Sequence, residues 1–421
     1  MKKILTLTAL GTILMASDAM AAGFHLREQS AAAQGNAFAG ATAGAENGSY
    51  AYYNVAGLTR HKGTQVNAGV TYIAPRSEAT NVRDAAGNDG LDIDNIVHSA
   101  WSPNGTVSYQ LDDKTTFGVS LNVPFGMITK YDSRWAGSDH GVLSKVTAVT
   151  TTPMVAYKVN DKLSVGAGLP IQYVKARLSN SAVMKTIGDV ALEGDTVDVG
   201  YQLGAMYEFN DKARIGMGYR SEIHHKLKGE IESDAATQNP MFSGLLNQDI
   251  HAKLNTPAMF SVGGYYQLND RWAVMAEYQR VFWSSFESLD IYGKNVNQPS
   301  IGMISSTKEN WRDTNFYAIG ASYQIDHQWK GRFGIALDEG AARLAERTPR
   351  IPDSDRLWFS GGLSYEYNEN LTFDAAYTYI KAKDATVDMA LTQNAGGTTN
   401  DFSAKYKNSV KLFGLSLNYK F

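Results

Sequence analysis

The feature that most constrains this chain is an alternation of period two, repeated over most of its length and cut by turns of two lengths. Val197, Val199, Tyr201, Leu203, Ala205, Tyr207 and Phe209 alternate with Asp198, Gly200, Gln202, Gly204, Met206 and Glu208. Leu357, Phe359, Gly361, Leu363, Tyr365 and Tyr367 follow the same rule, as do Phe117, Val119, Leu121 and Val123. Successive side chains of a strand point to opposite faces, so each strand has one apolar, aromatic face and one small or polar face. A soluble sandwich would turn the apolar face to a core. Three observations favour a barrel that turns it to lipid.

Strands are joined in pairs by very short polar turns: Asp112-Asp113-Lys114, Asn160-Asp161-Lys162, Asn210-Asp211-Lys212, Asn269-Asp270-Arg271, Asp326-His327-Gln328 and Asn368-Glu369-Asn370. These are hairpin residues. Between the pairs lie much longer loops, near 75–101, 124–142, 179–195, 229–252, 287–311, 339–355 and 384–407. Short turns on one side and long loops on the other is the layout of outer-membrane barrels. Aromatic residues stand beside the turns (Phe117, Phe209, Tyr266, Trp272, Trp329, Tyr367, Phe373), where an interfacial girdle belongs.

Six tight turns join twelve strands. One strand precedes the first loop (Val66, Ala68, Val70, Tyr72) and one ends the chain, which predicts an all-β, 14-stranded antiparallel transmembrane β-barrel. The last strand alternates Phe413, Leu415, Leu417, Tyr419 and Phe421 with Gly414, Ser416, Asn418 and Lys420. It resembles the C-terminal signal read by the barrel-assembly machinery, which is thus an expected partner.

Lys2 and Lys3, the apolar stretch Ile4 to Ala16 and the small-x-small Ala19-Met20-Ala21 read as a signal peptide over 1–21. Beyond it no run of 18 apolar residues remains, so membrane-spanning helices are excluded and only a closed barrel satisfies the backbone in lipid. The expected location is the outer membrane of a Gram-negative bacterium, as a monomer among outer-membrane lipid and lipopolysaccharide. With 39 basic against 42 acidic residues the charge is -3, which argues against a nucleic-acid partner. The chain has no cysteine, its eight histidines are scattered, and His224-His225 point to opposite faces of one strand. No Gly-x-Ser-x-Gly occurs. Neither an enzyme, a metal site nor a cofactor is expected.

Residues 22–60 precede the first strand, lack the alternation and carry Phe24, Phe38, Tyr50, Tyr52 and Tyr53, which favour burial. They read as an N-terminal plug inside the barrel formed by 61–421. Ala22-Gly23-Phe24-His25-Leu26 and Asn54-Val55-Ala56-Gly57-Leu58 resemble the FadL/TodX family of outer-membrane transporters. So do Tyr219-Arg220-Ser221-Glu222, Lys226-Leu227-Lys228-Gly229 and Arg350-Ile351-Pro352-Asp353-Ser354-Asp355-Arg356. The resemblance implies a plugged fourteen-stranded barrel that takes up long-chain fatty acids or, in one branch, monoaromatic hydrocarbons. Where the family's hatch carries Asn-Pro-Ala, this chain has Asn54, Val55 and Ala56, which puts a rigid-turn role there in doubt.

Two loops are unusually apolar. One contains Val183, Met184 and Ile187, the other Met241, Phe242, Leu245 and Leu246. They either cap the barrel or form an outer groove for a hydrophobic ligand, and the resemblance implies a first, weak site there. A carboxylate in the lumen needs a cation. Between 163 and 178 the apolar residues change from odd to even positions near Pro170, which reads as a bulge turning Lys175 and Arg177 inward, with snorkelling at the rim as the alternative. Arg220 also faces inward, with Glu222 as its expected ion-pair partner, and Lys308 and Arg312 are weaker candidates. Pro124 and Gly126 interrupt the third strand. That is either its end or a gap in the wall, and the resemblance implies lateral release into the bilayer there.

Overall fold

The structure, a computed structural model, describes residues 23–84, 87–181, 189–233, 249–293, 303–389 and 402–421. The expected signal peptide lies outside them. Fourteen antiparallel strands close on themselves. They are β1 (Thr64–Arg83), β2 (Ala100–Gln110), β3 (Thr115–Lys130) and β4 (Leu143–Lys158). Each of the next six consists of two segments. They are β5 (Leu163–Gly168, Ile171–Ser181), β6 (Asp189–Val199, Gln202–Asn210) and β7 (Ala213–Arg220, Ile223–Ser233). Then come β8 (Asp249–Thr256, Met259–Gln267), β9 (Trp272–Val281, Ser288–Gly293) and β10 (Met303–Lys308, Thr314–Gln324). The wall ends with β11 (Trp329–Asp338), β12 (Arg356–Glu366), β13 (Leu371–Ala382) and β14 (Ser403–Lys420). Neighbours in sequence pair throughout, and β14 pairs with β1 from Lys420↔Gln65 to Ser403↔Arg83. Closing the wall between its first and last strands gives both terminal strands a partner, as lipid requires.

The short turns owe their shape to their first residue. In all six, the side-chain oxygen of Asp112, Asn160, Asn210, Asn269, Asp326 or Asn368 accepts hydrogen bonds from the backbone N–H groups two and three residues on. Those bonds hold the Asp112 and Asp326 carboxyls below the usual carboxylate range. Beside the turns, aromatic rings pair across strands: Trp272 with Tyr323 at 4.6 Å and Trp329 with Tyr365 at 4.5 Å between centroids.

At one height the strands β5 to β10 break, at 169–170, 200–201, 221–222, 257–258, 282–287 and 309–313. Hydrogen bonds join break to break, from Gly200 N–H to the Pro170 carbonyl (2.9 Å) and from Phe282 N–H to the Ala258 carbonyl (2.9 Å). In β7 the inward residues are Arg214 and Arg220 below the break but Ile223, His225 and Leu227 above it, so the facing parity changes there. β8 changes in step, from Ser261 and Met259 to Thr256 and Leu254. β5 does not: Ser164, Gln172 and Val174 are all inward, and its pairing with β4 keeps one register across Pro170, from Met154↔Gly168 to Thr151↔Ile171.

The lower lumen is filled by the N-terminal segment, which forms two short helices, Ala31–Gly35 and Ala41–Gly44, and two 3-10 turns, Gly48–Tyr52 and Val55–Arg60. Its aromatic residues are buried, among them Phe38, Tyr50 and Tyr52. Among the described residues no helix is long and apolar enough to cross a membrane.

Candidate functional site

The plug is held to the wall largely through backbone carbonyls. Arg214 donates to the carbonyls of Ala43 (2.6 Å) and Gly44 (2.7 Å), and Gln202 to that of Tyr52 (2.8 Å). Arg332 pairs with Glu46 at 2.7 Å. So close an approach needs bare wall, and a Cβ on Gly216 would collide with the Thr42 carbonyl. Asn54 is the central tie. Its Oδ1 accepts from Ala56 N–H (3.0 Å) and its Nδ2 donates to the carbonyls of Thr42 (2.8 Å) and Ala205 (2.9 Å). Val55 is the first residue of its 3-10 turn, the helical position proline favours, and the Asn54 side chain caps that turn.

Above the plug lies a narrow apolar slot of about 60 Å³. Its walls are residues of β3 to β9, among them Val146, Ala176, Leu178, Leu227 and Leu254, and Glu309 from the break in β10 also reaches it. Phe24 closes its inner end. The ring packs against Trp283 at 4.8 Å, Phe125 at 5.7 Å, Trp311 at 5.9 Å and Phe286 at 6.0 Å. Trp283 and Phe286 come from the break in β9 and Trp311 from that in β10, so the strand interruptions carry the aromatic rings inward. Gly23 has a φ of +59°, and a Cβ there would strike both tryptophans. Its N–H donates to Asp353 (3.3 Å), which also accepts from Ala341 N–H (2.6 Å) and pairs with Arg356.

The slot also meets Arg350, a half-buried guanidinium from the outer loop before β12. It donates to the carbonyls of Leu143 (3.0 Å) and Ser179 (3.2 Å) and to the Ser144 hydroxyl (2.8 Å). No carboxylate lies within ion-pair distance of it among the described residues, and burial pulls its pKa down to about 10 against the attraction of Glu309. Arg350 stands in the motif that carries the family resemblance, but spacing alone does not show that it reaches the lumen.

Lys175 and Arg177 do not face the lumen. They sit on the outer face of β5, where Lys175 pairs with Glu193, and Arg177 with Glu193 (2.7 Å) and Glu232 (3.0 Å). The apolar residues of β5 change sides because the surroundings change and the strand does not turn. Low on the wall the outward residues Val165 and Ile171 face lipid, whereas higher up the inward Val174, Ala176 and Leu178 line the slot. Arg220 does face inward, but it stacks over the Tyr52 ring at 4.2 Å and donates to the Tyr52 carbonyl (3.1 Å), while Glu222 lies against His224 (3.3 Å). Arg312 is held by the Gly340 carbonyl (2.9 Å) and Asp355 (3.2 Å). The loop residues Val183, Met184, Ile187, Met241, Phe242, Leu245 and Leu246 lie outside the described residues.

At Pro124 to Gly126 the third strand leaves the wall. Its pairing with β2 ends at Leu121↔Gly105, and its register with β4 slips between Asn122 and Phe125. From Val123 to Thr129 every residue is buried, so neither face remains on the outer surface. The plug terminus replaces the lost partner. Leu26 N–H donates to the Pro124 carbonyl (2.7 Å), Gly126 N–H to the Phe24 carbonyl (2.9 Å), and Gln29 Nε2 to the Val123 carbonyl (2.7 Å). The facing stretch of β2, Ala100 to Asn104, pairs with β1 and has no partner on β3. Its inward Ser102 hydroxyl and Asn104 amide are buried without hydrogen bonds among the described residues.

Residues 12–421 match the family described as outer membrane protein transport protein (OMPP1/FadL/TodX). A 47 kDa outer membrane protein of Pasteurella multocida is 31% identical over 99% of this chain and 98% of its own length. A long-chain fatty acid transport protein of Escherichia coli O6:H1 is 27% identical over 98% and 97%. The crystal structure of a FadL homologue of Pseudomonas aeruginosa superposes with a TM-score of 0.85 at 25% identity, over 95% of this chain and 100% of that one.

Proposed function

Since the chain belongs to the OMPP1/FadL/TodX family of outer-membrane transporters for hydrophobic compounds, which are not enzymes, we propose that its cargo is long-chain fatty acids. One observation carries this reading: an apolar slot that meets a half-buried arginine with no carboxylate within ion-pair distance among the described residues. A fatty acid has the complementary form, with a chain for the slot and a carboxylate for the guanidinium. A monoaromatic hydrocarbon, the alternative within the family, has no use for that charge.

In this reading the apolar loops at 179–195 and 229–252 capture ligand from outside, and Arg350 orients it in the slot. The Phe24 cluster is the gate, since its ring fills the end of the slot nearest the plug. The gap between β2 and the inturned part of β3, near Pro124 and Gly126, is the exit into the bilayer. Support for a sideways exit comes from the plug, whose buried polar contacts close the lower lumen.

The test is uptake of radiolabelled oleate and toluene by cells lacking their own transporter. Oleate uptake that falls on Arg350→Met while the barrel stays folded supports the reading. Toluene uptake without oleate uptake overturns it and makes Arg350 a structural residue.

A further inference from the structure

Outside the transport path, the outer face of β13, β14 and β1 carries a group of cations in a constrained position. The outward residues of β14 run Phe421, Tyr419, Leu417, Leu415, Phe413 and then Lys411, Ser409, Lys407, Lys405. From Phe421 to Phe413 is about 27 Å along the strand, or about 21 Å of height at a tilt near 40°, close to the apolar band of such barrels. Lys411 therefore stands one outward step above the hydrocarbon edge, on the side of the long loops.

Cross-strand pairing fixes what surrounds it. Tyr377, Phe413 and Tyr72 share one row, Tyr379, Lys411 and Ala74 the next, and Lys381, Ser409 and Arg76 the one above. Three cations thus surround Ser409, with Lys407 one further step up. Rows lie about 7 Å apart and strands about 5 Å apart, so all of them are within reach of one phosphorylated headgroup. Arg76 pairs with Glu78 at 2.7 Å. Glu78 also stands directly opposite Lys407, but Lys381, Lys407 and Lys411 are exposed and have no carboxylate within ion-pair distance among the described residues. Directly below is an aromatic shelf, with Tyr377 5.0 Å and Tyr72 6.5 Å from Phe413, and Trp101 4.7 Å from Tyr72.

Unneutralised ammonium groups crowded on adjacent strands repel one another, a cost that an anion removes. The shelf identifies the kind of anion: rings at the hydrocarbon edge contact acyl chains, which a soluble phosphate lacks. We propose that Lys381, Lys407, Lys411 and Arg76 form a binding site for the phosphate groups of a phosphorylated lipid in the outer leaflet, with its chains on the Tyr377–Phe413–Tyr72–Trp101 shelf. The site anchors the seam where the first and last strands close the barrel.

The test is native mass spectrometry of the full chain in detergent, titrated with diphosphoryl lipid A, with its dephosphorylated form, and with inorganic pyrophosphate as competitor. The triple variant Lys381→Gln/Lys407→Gln/Lys411→Gln is compared with Lys226→Gln/Lys228→Gln/Lys253→Gln, which removes equal charge from β7 and β8. Heat-modifiable migration confirms that both fold. Each lysine removed from the site should weaken diphosphoryl lipid A binding about fivefold, hence about a hundredfold for three. The control variant should bind as wild type does, and pyrophosphate should not displace the lipid. The proposal is overturned by equal binding to the triple variant, by equal loss in the control, by equal binding of the dephosphorylated lipid, or by displacement with pyrophosphate.

Discussion

Replacing Phe24 by alanine measures what holds its ring at the inner end of the slot. The ring is 1% exposed and touches four other aromatic side chains. Truncating a buried phenylalanine costs about 3–5 kcal/mol. Residues 23–26 precede the plug's first helix, so their detachment relieves that loss while the barrel stays folded. The backbone N–H ties that remain between the segment and the wall are three, Leu26 to Pro124, Gly126 to Phe24 and Gly23 to Asp353, beside the buried Leu26 and His25. At roughly 1 kcal/mol each they contribute about 3 kcal/mol, no more than the ring itself. A loss of about 3 kcal/mol raises the detached population roughly 150-fold. Amide hydrogen exchange reads it directly, since the N–H groups of Leu26 and Gly126 lose protection together on detachment. Trp283 and Trp311, both buried, should shift their emission to longer wavelength. Unchanged exchange at Leu26 and Gly126 in a folded Phe24→Ala barrel would refute the reasoning, because the backbone ladder alone would then hold the segment.

Four other outcomes follow from the same geometry. Arg350→Met should cut oleate uptake by about tenfold or more, the worth of a hydrogen bond to a charged group, and leave toluene uptake unchanged, as paired tracer assays would report. Lys175→Ala/Arg177→Ala should leave oleate uptake at the wild-type rate, since exposed outward ion pairs contribute only about 0–1 kcal/mol of stability; a fall in uptake would contradict their outward placement. Gly126→Trp should fill the gap beside β2 and lower uptake while equilibrium oleate binding by the purified protein persists; unimpaired uptake would exclude this exit. Asn54→Ala removes three buried hydrogen bonds and should loosen the plug by about 2–3 kcal/mol, seen as faster exchange over residues 41–58 and as conductance in planar bilayers.

The sequence by itself determined the wall. Alternation, six short turns and a chain ending on an apolar strand are enough for fourteen strands and their order, because in lipid every backbone group must pair within the barrel. The turns are legible since one Asp or Asn at each first position makes its own local hydrogen bonds. A buried plug is legible too, from its aromatic residues.

The direction of individual side chains within the upper barrel was decided by the tertiary structure. Apolar residues mark whichever face avoids water, and above the membrane that face is the inner one. The change near Pro170 thus has the same sequence signature as a bulge, although β5 keeps its register. The true reversals, at 221–222 and 257–258, lie where Pro257 is the only sequence cue. Arg350 reaches the slot from a loop, Phe24 meets tryptophans from two interrupted strands, and β3 turns inward because the plug terminus offers its backbone a partner. These contacts join residues hundreds of positions apart, and the short-range spacing that specifies a strand carries no information about them.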